Sequence, residues 1–302
     1  MRYNHRMTKS FGPTHREKIF WPQAGYTKGD LIDYYERIAP TILPYLKDRP
    51  VVLKRFPNGI KQQSFFQKNL SGTPPFFVKT ATLRAKNGRD IRYVLCNNRQ
   101  TLAYVANLAA IELHPWSSLA KRPNYPDAMI FDLDPGPQTT FDDVIEAACA
   151  VRALLDELRL PSCVKTSGKR GMHVSVPLTA KSEYDDVRRY ALALSHILAA
   201  RHPQLLTATR GEEHRLGKIF IDYLRNAEGQ TAVAPYSLRA TSGATVSTPL
   251  EWSEVKKGLD PAKFTIKTIW KRLEKKGDLW HPMFEKKVDL KESIRRLQKE
   301  LR

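Results

Sequence analysis

Two aspartates interrupt an apolar run, Ile130-Phe131-Asp132-Leu133-Asp134, and Pro135-Gly136 closes it. Residues two apart on a strand share a face. Asp132 and Asp134 therefore project together while Phe131 and Leu133 turn towards a core. The sequence around this strand alternates strand and helix patterns. Residues 128–133 read as a strand and 141–158 as a helix capped by Thr140. Residues 163–166 and 172–178 read as strands joined by a Gly-rich loop. Residues 184–201 read as a helix with Val187, Leu194 and Ile197 on one side. A hairpin is expected from 218–224 and 231–238 across Asn226-Ala227-Glu228-Gly229. Leu290, Ile294, Leu297 and Leu301 mark a last helix whose stripe docks on the body.

The first half carries fewer periodic signals. Thr27 is placed to cap a helix over 28–43, with Asp30 in its first turn and Leu31, Tyr34, Ile38 and Ile42 along one side. Pro40 and Pro44 leave its end open. Residues 51–56 read as a strand before a Pro57-Asn58-Gly59 turn, and 102–113 as a helix. Residues 121–127, with Pro123 and Pro126, read as a loop into the second, larger portion. The division is thus a basic N-terminal region, 1–126, and a catalytic core with a C-terminal helix, 127–302, in one integrated domain. No run of about 18 apolar residues marks a membrane span, and Met1–Ser10 is basic without the apolar stretch of a secretory signal. Cys96, Cys149 and Cys163 are scattered, form no CxxC or zinc spacing, and suit a reducing cytoplasm.

Charge gives the first functional clue. The chain carries 50 Lys and Arg against 31 Asp and Glu, a balance of +19. Residues 1–126 hold 21 basic and 7 acidic side chains, residues 127–250 hold 14 and 15, and residues 251–302 hold 15 and 9. A near-neutral centre flanked by basic regions fits a polyanion held by one part and processed by another. The competing explanation is a generic solubility charge.

Adjacent carboxylates repel unless something positive lies between them. A divalent cation such as Mg²⁺ or Mn²⁺, which prefers oxygen ligands, is the usual answer. Taken alone, Asp-Pro-Gly is also good turn chemistry, and metal-dependent glycosyltransferases use similar Asp pairs. A third carboxylate sits inside Ile219-Phe220-Ile221-Asp222-Tyr223. Strand interiors disfavour Asp, so Asp222 needs a partner, either an arginine or a metal site shared with Asp132 and Asp134. Three such carboxylates on adjacent strands would form a centre for phosphoryl or nucleotidyl transfer with two metal ions. In Thr166-Ser167-Gly168-Lys169-Arg170-Gly171-Met172-His173, two glycines let the backbone approach a ligand. Backbone N–H groups, Ser167, Lys169 or Arg170, and His173 could hold a triphosphate, although a surface β-turn has the same look. No Walker motif occurs. Arg239 is a further candidate phosphate ligand.

Taken in order, DLDPG from Asp132, SGKRGMH from Ser167, IDYLRN from Ile221 and APYSLRA from Ala234 resemble the polymerase domain of bacterial ligase D, in the archaeo-eukaryotic primase superfamily. NGIKQQSFFQK from Asn58, NLAAIELHPW from Asn107 and EKIFWP followed by TKGDLIDYY extend the resemblance to nearly all of residues 14–270. It implies an α+β, primase-like core of two facing β-sheets flanked by helices. It implies template-directed addition of nucleotides, with ribonucleotides favoured, to DNA ends or short gaps during non-homologous end joining. Two divalent cations, Mn²⁺ or Mg²⁺, are the implied cofactors, and nucleoside triphosphates the substrates. Asp132, Asp134 and Asp222 match the metal-binding carboxylates. Ser167, Arg170, His173 and Arg239 match groups that hold the nucleotide, with His114 and Arg225 in matching segments nearby. Lys18 and Lys28 match residues that hold the 5′-phosphate of a downstream strand, and Lys54, Phe65 and Phe66 a surface that meets the template.

The family loop reads Ser-Gly, a small residue, then Lys-Gly. Here Lys169 takes the small position and Arg170 the lysine position, which leaves open which of the two holds phosphate. DNA with 5′-phosphorylated ends or gaps, Ku and a DNA ligase are the expected partners of a cytoplasmic, nucleoid-associated monomer. Two other functions fit part of the pattern: a stand-alone short-gap repair polymerase or primase, and a DNA-end binding module without catalysis. The clustered acids argue against the second, since a pure binder gains nothing from carboxylates beside a polyanion.

Overall fold

The computed structural model describes residues 12–85 and 87–300; Met1–Ser10 and Leu301 lie outside them. A short hairpin, β1 (Ile19–Trp21) and β2 (Tyr26–Thr27), leads directly into α1 (Lys28–Leu46). Thr27 caps α1 through Asp30 N, and the Asp30 carboxylate accepts from Thr27 N in return, a reciprocal capping box. Pro40 and Pro44 lie inside the helix, both exposed, and α1 continues past them to Leu46. Strands β3 (Pro50–Arg55), β4 (Phe65–Gln67), β5 (Lys79–Arg84) and β6 (Asp90–Leu95) follow, then α2 (Arg99–Asn107) and β7 (Ala110–Pro115). They form a five-stranded sheet in which β3 pairs with β4, β6 and β7.

The expected helix over 102–113 is therefore half right. Asn98 caps α2 three residues earlier, and the helix ends at Asn107. Ala109 takes a left-handed φ of 65°, and Ile111 and Leu113 then alternate with Glu112 and His114 as a strand. The local sequence is compatible with either structure, and pairing with β3 decides it.

The second sheet has six strands in the order β11-β12-β8-β10-β9-β13. They are β8 (Ala128–Pro135), β9 (Cys163–Thr166), β10 (Met172–Pro177), β11 (Leu206–Thr207), β12 (Ile219–Asp222) and β13 (Pro249–Leu250). Helices α3 (Phe141–Glu157) and α4 (Tyr184–Arg201) cover one face. Met129, Phe131, Leu133, Met172, Val174, Val176, Ile219 and Ile221 bury their side chains against them. The expected hairpin after β12 does not form. Asp222 Oδ1 accepts from Leu224 N and starts a 3₁₀ turn, Tyr223–Asn226. The Asn226 amide then bonds both Ile130 N and Ile130 O at 2.7 Å, taking the place of a pairing strand. Residues 231–238 run alongside β7 instead, with Ala234 N donating to Leu113 O.

Helices α5 (Ile269–Lys276), α6 (Pro282–Glu285) and α7 (Leu290–Glu300) complete the chain. Leu290 and Ile294 pack against the core of the second sheet, as the stripe predicts. The side chain of Leu297 lies outside the described residues, as does Leu301. No helix among the described residues is long and apolar enough to cross a membrane.

Candidate active site

Period-two alternation points the opposite, polar faces of both sheets into one open cavity of about 1100 Å³. Val51 and Leu53 of β3 and Ile111 and Leu113 of β7 enter the core with α1 and α2, which leaves Lys54, Glu112 and His114 on the cavity side. In the larger sheet the same alternation exposes Asp132, Asp134 and His173. The volume exceeds what most small-molecule sites need, roughly 300–1,000 Å³.

Strand register builds the acidic wall. Asp222 pairs with Asp132, Asp132 with His173, and His173 with Lys165, so one row crosses four strands. Carboxylate oxygens of Asp132, Asp134 and Asp222 lie within 4.8 Å of one another. Burial alone would raise the Asp132 carboxyl; His173 and then Arg225 outweigh it and hold Asp132 well below the usual carboxylate range. Arg225 Nε lies 2.9 Å from Asp132 and 3.2 Å from Asp222. Burial, reinforced by Asp132, pushes Asp134 up to about 7, and burial raises Asp222 as well. Three oxygen donors whose mutual repulsion is this evident match the chemistry of a hard divalent cation, so the residues fit such an ion.

His173 is held neutral. Burial and then Lys165 push it down to about 4. Lys165 Nζ donates to Ser247 Oγ at 2.7 Å and lies 3.0 Å from His173 Nδ1. With Nδ1 accepting, the ring proton sits on Nε2, 3.2 Å from Asp132 Oδ1.

Opposite stands a cationic wall around one buried acid. Glu112 Oε1 lies 3.2 Å from Lys169 Nζ and 3.4 Å from Arg239 Nε, and Oε2 lies 3.2 Å from His114 Nε2. Ser167 shapes the loop between the walls: its Oγ accepts from Lys169 N and Gly171 N, and its carbonyl accepts from Arg239 Nη1 at 2.8 Å. Gly168 is required there. Its φ is +73°, and a Cβ would lie 2.6 Å from Arg239 Cγ. Lys169 faces Glu112, whereas Arg170 Nη2 reaches back to Gly136 O at 3.4 Å. Both line the cavity.

Most of the sequence-predicted residues thus fall into three groups around the cavity. Asp132, Asp134, Asp222, His173 and Arg225 form the acidic wall; Ser167, Lys169, Arg170, Arg239 and His114 form the loop and the cationic wall. Lys54 and Phe66 occupy the rim, paired across β3 and β4, with Lys54 Nζ 5.1 Å above the Phe66 ring and Phe66 edge-on to His114. Phe65 points to the other side, over Arg55. Phe65 and Phe66 are 45% and 57% exposed, so neither ring faces the core.

Lys18 and Lys28 sit outside the cavity, opposite each other at the hairpin base, where Lys28 N donates to Lys18 O. Lys28 Nζ donates to Thr14 O at 2.7 Å and Lys18 Nζ to Asn58 Oδ1 at 2.7 Å. The first N–H groups of α1 are not free for an anion. Those of Lys28, Gly29 and Asp30 already donate to Lys18 O, Arg16 O and Thr27 Oγ1. Three residues escaped the sequence reading: Glu112 in the cavity, hidden by the misassigned helix; Lys165 behind His173, a buried lysine on a short strand; and Arg215 in the cavity, which stacks on Phe220 at 3.9 Å. Strand alternation in IELH and CVKT was the available signal for the first two.

The model of the LigD primase-polymerase domain matches residues 27–280. The chain belongs to this family. The multifunctional non-homologous end joining protein LigD of Mycolicibacterium smegmatis is 34% identical over 274 residues, 89% of this chain and 35% of that protein. The bifunctional LigD of Bacillus subtilis is 34% identical over 266 residues, 87% of this chain and 42% of that protein. The chain therefore spans well under half the length of these relatives. The polymerase domain of Mycobacterium tuberculosis ligase D, solved in complex with DNA, superposes with a TM-score of 0.84 at 31% identity. The match covers 92% of this chain and 99% of that one. LigD primase-polymerase domains are nucleotidyltransferases, and the fold expected from the motifs is the one found.

Proposed function

We propose that this chain extends the 3′ end of a DNA strand on a template, one nucleoside triphosphate at a time, at broken ends or short gaps. The observation that carries this is the facing of three converging carboxylates and a cluster of cations across one open cavity. Asp132, Asp134 and Asp222 would hold two divalent cations, Mn²⁺ or Mg²⁺, which when bound activate a 3′-hydroxyl and offset triphosphate charge. Neutral His173 donates a hydrogen bond to Asp132 and fixes its orientation. Ser167, His114, Arg239 and Lys169 or Arg170 hold the triphosphate, and Lys54, Phe65 and Phe66 meet the template. Family membership supports a preference for ribonucleotides and service in end joining with Ku and a DNA ligase. Cation binding should show directly: near 100 times its Kd, Mn²⁺ should stabilise the fold by about 2.7 kcal/mol and raise Tm by several degrees. Asp222→Asn should lose most of that rise. No rise in wild type with either ion would remove the metal assignment.

Lys18 and Lys28 are proposed to hold a terminal 5′-phosphate. Burial, and then Lys18, depress the Lys28 ammonium, so an added dianion relieves a real repulsion. With the α1 N–H groups in use, the two side chains must do the holding. On a gapped duplex, wild type should bind the 5′-phosphorylated form about tenfold more tightly. The Lys18→Ala, Lys28→Ala variant should bind both forms alike and still extend primers. Equal binding by wild type would leave only general attraction to DNA. Extension of broken ends and gaps, with and without Ku, separates end joining from gap repair. Gap filling indifferent to Ku would favour a stand-alone repair polymerase.

A further inference from the structure

Glu112 is a puzzle on the proposed function. It is 1% exposed on the wall assigned to a triphosphate, where a negative charge weakens binding. Burial alone would raise its pKa; the hydrogen bond from His114 and the charges of Arg239, His114 and Lys169 outweigh it and keep the carboxylate ionised. Its partners come from three separate segments: His114 on its own strand, Lys169 on the 167–171 loop, and Arg239 with Ala240 N, which donates to Oε1 at 3.3 Å.

A second set of hydrogen bonds fixes the strand that carries Glu112. Tyr35 of α1, fully buried, donates to Ile111 O at 2.7 Å and accepts from Leu238 N at 3.2 Å. Its hydroxyl lies 3.1 Å from Ser237 Oγ, which accepts from Leu113 N at 3.0 Å. The two residues flanking Glu112 are thereby joined to the two residues preceding Arg239. Nothing in this brace touches the cavity, and its geometric consequence is the spacing between Glu112 and Arg239.

We propose that Glu112 is a positioning residue that aligns Lys169, Arg239 and His114 on the triphosphate, and that the Tyr35–Ser237 hydroxyl pair sets its distance from Arg239. The inference rests on the polymerase reading above. It predicts an unusual separation of effects. Glu112→Gln keeps the shape, removes the repelling charge and releases the cations. Affinity for the triphosphate should hold or improve, while the chemical step, which needs the cations in register, should slow. A group that bound substrate directly would show the reverse.

The test measures primer extension against nucleotide concentration, together with equilibrium binding of a non-hydrolysable triphosphate. Glu112→Gln should lower kcat about 10- to 100-fold, with KM and the analogue Kd unchanged or up to several-fold lower. Tyr35→Phe should lower kcat about 3- to 10-fold with unchanged Kd and a near-native Tm. In an Arg239→Ala background the Glu112→Gln effect on kcat should shrink, because one of its targets is gone. A raised KM at constant kcat, strict additivity with Arg239→Ala, or wild-type kinetics in both variants would overturn the proposal. If Glu112→Gln does not fold, an unchanged kcat in Tyr35→Phe overturns it alone. A wild-type protein that extends no primer defeats the polymerase reading. The Glu112→Gln affinity for the analogue would still test the positioning role: weaker binding than wild type contradicts it.

Discussion

Replacing Asp132 by asparagine should abolish nucleotide addition, lowering the single-turnover rate by at least about three orders of magnitude, or roughly 4 kcal/mol of barrier. Asp132 is the centre of the four-strand row and bonds His173 on one side and Arg225 on the other. Asparagine keeps the size of the side chain. It places an N–H donor where two donors already converge, and it removes the most strongly ionised of the three carboxylates. DNA affinity should stay within about twofold, because the net positive charge lies in residues 1–126 and 251–302. Single-turnover extension and a DNA-binding titration on the same preparation check both halves. A rate within tenfold of wild type would mean that the row is structural.

The second large effect is on stability. Arg49 precedes β3 and Asp127 precedes β8, the central strands of the two sheets. Their side chains form a two-pronged ion pair, Nη1 to Oδ1 at 2.9 Å and Nη2 to Oδ2 at 2.6 Å, with 11% and 16% of each side chain exposed. Removing one partner of such a pair leaves the other charge buried without compensation, at a cost of about 3 kcal/mol or more. Arg49→Ala should therefore lower Tm by several degrees. Arg49→Ala with Asp127→Ala should recover part of that loss. An Arg49→Ala protein that melts within a degree of wild type would show that the two sheets hold their arrangement without the pair.

Much of this centre was legible from sequence because strands report their faces. The alternation in IFDLD put Asp132 and Asp134 on one face with Phe131 and Leu133 behind them, and Asp222, conspicuous as a lone acid in an apolar strand, joins them in the structure. Helices with strong caps, at Thr27 and Thr140, began where the capping pattern said. What failed were segments whose conformation is settled by distant partners. Ala110–Pro115 is a strand because β3 is there to pair with it, and residues 231–238 leave the hairpin pattern because Asn226 already satisfies Ile130. The first of these errors concealed Glu112, since a helix would have separated its face from that of His114. Lys165 was hidden for another reason. A lone lysine in a four-residue strand gives no hint that burial, His173 and Ser247 surround it. The register that aligns it with Asp132 is a property of the sheet.

The central claim is templated nucleotide addition at the cavity between the two sheets. The most direct test offers each nucleotide singly, in ribo and deoxy form, to a gapped duplex bearing a 5′-phosphate, with each template base in turn and with Mn²⁺ or Mg²⁺. The account predicts addition that follows the template base, requires the divalent ion and disappears in Asp132→Asn. Addition indifferent to the template base, or none with either ion and either sugar, would contradict it.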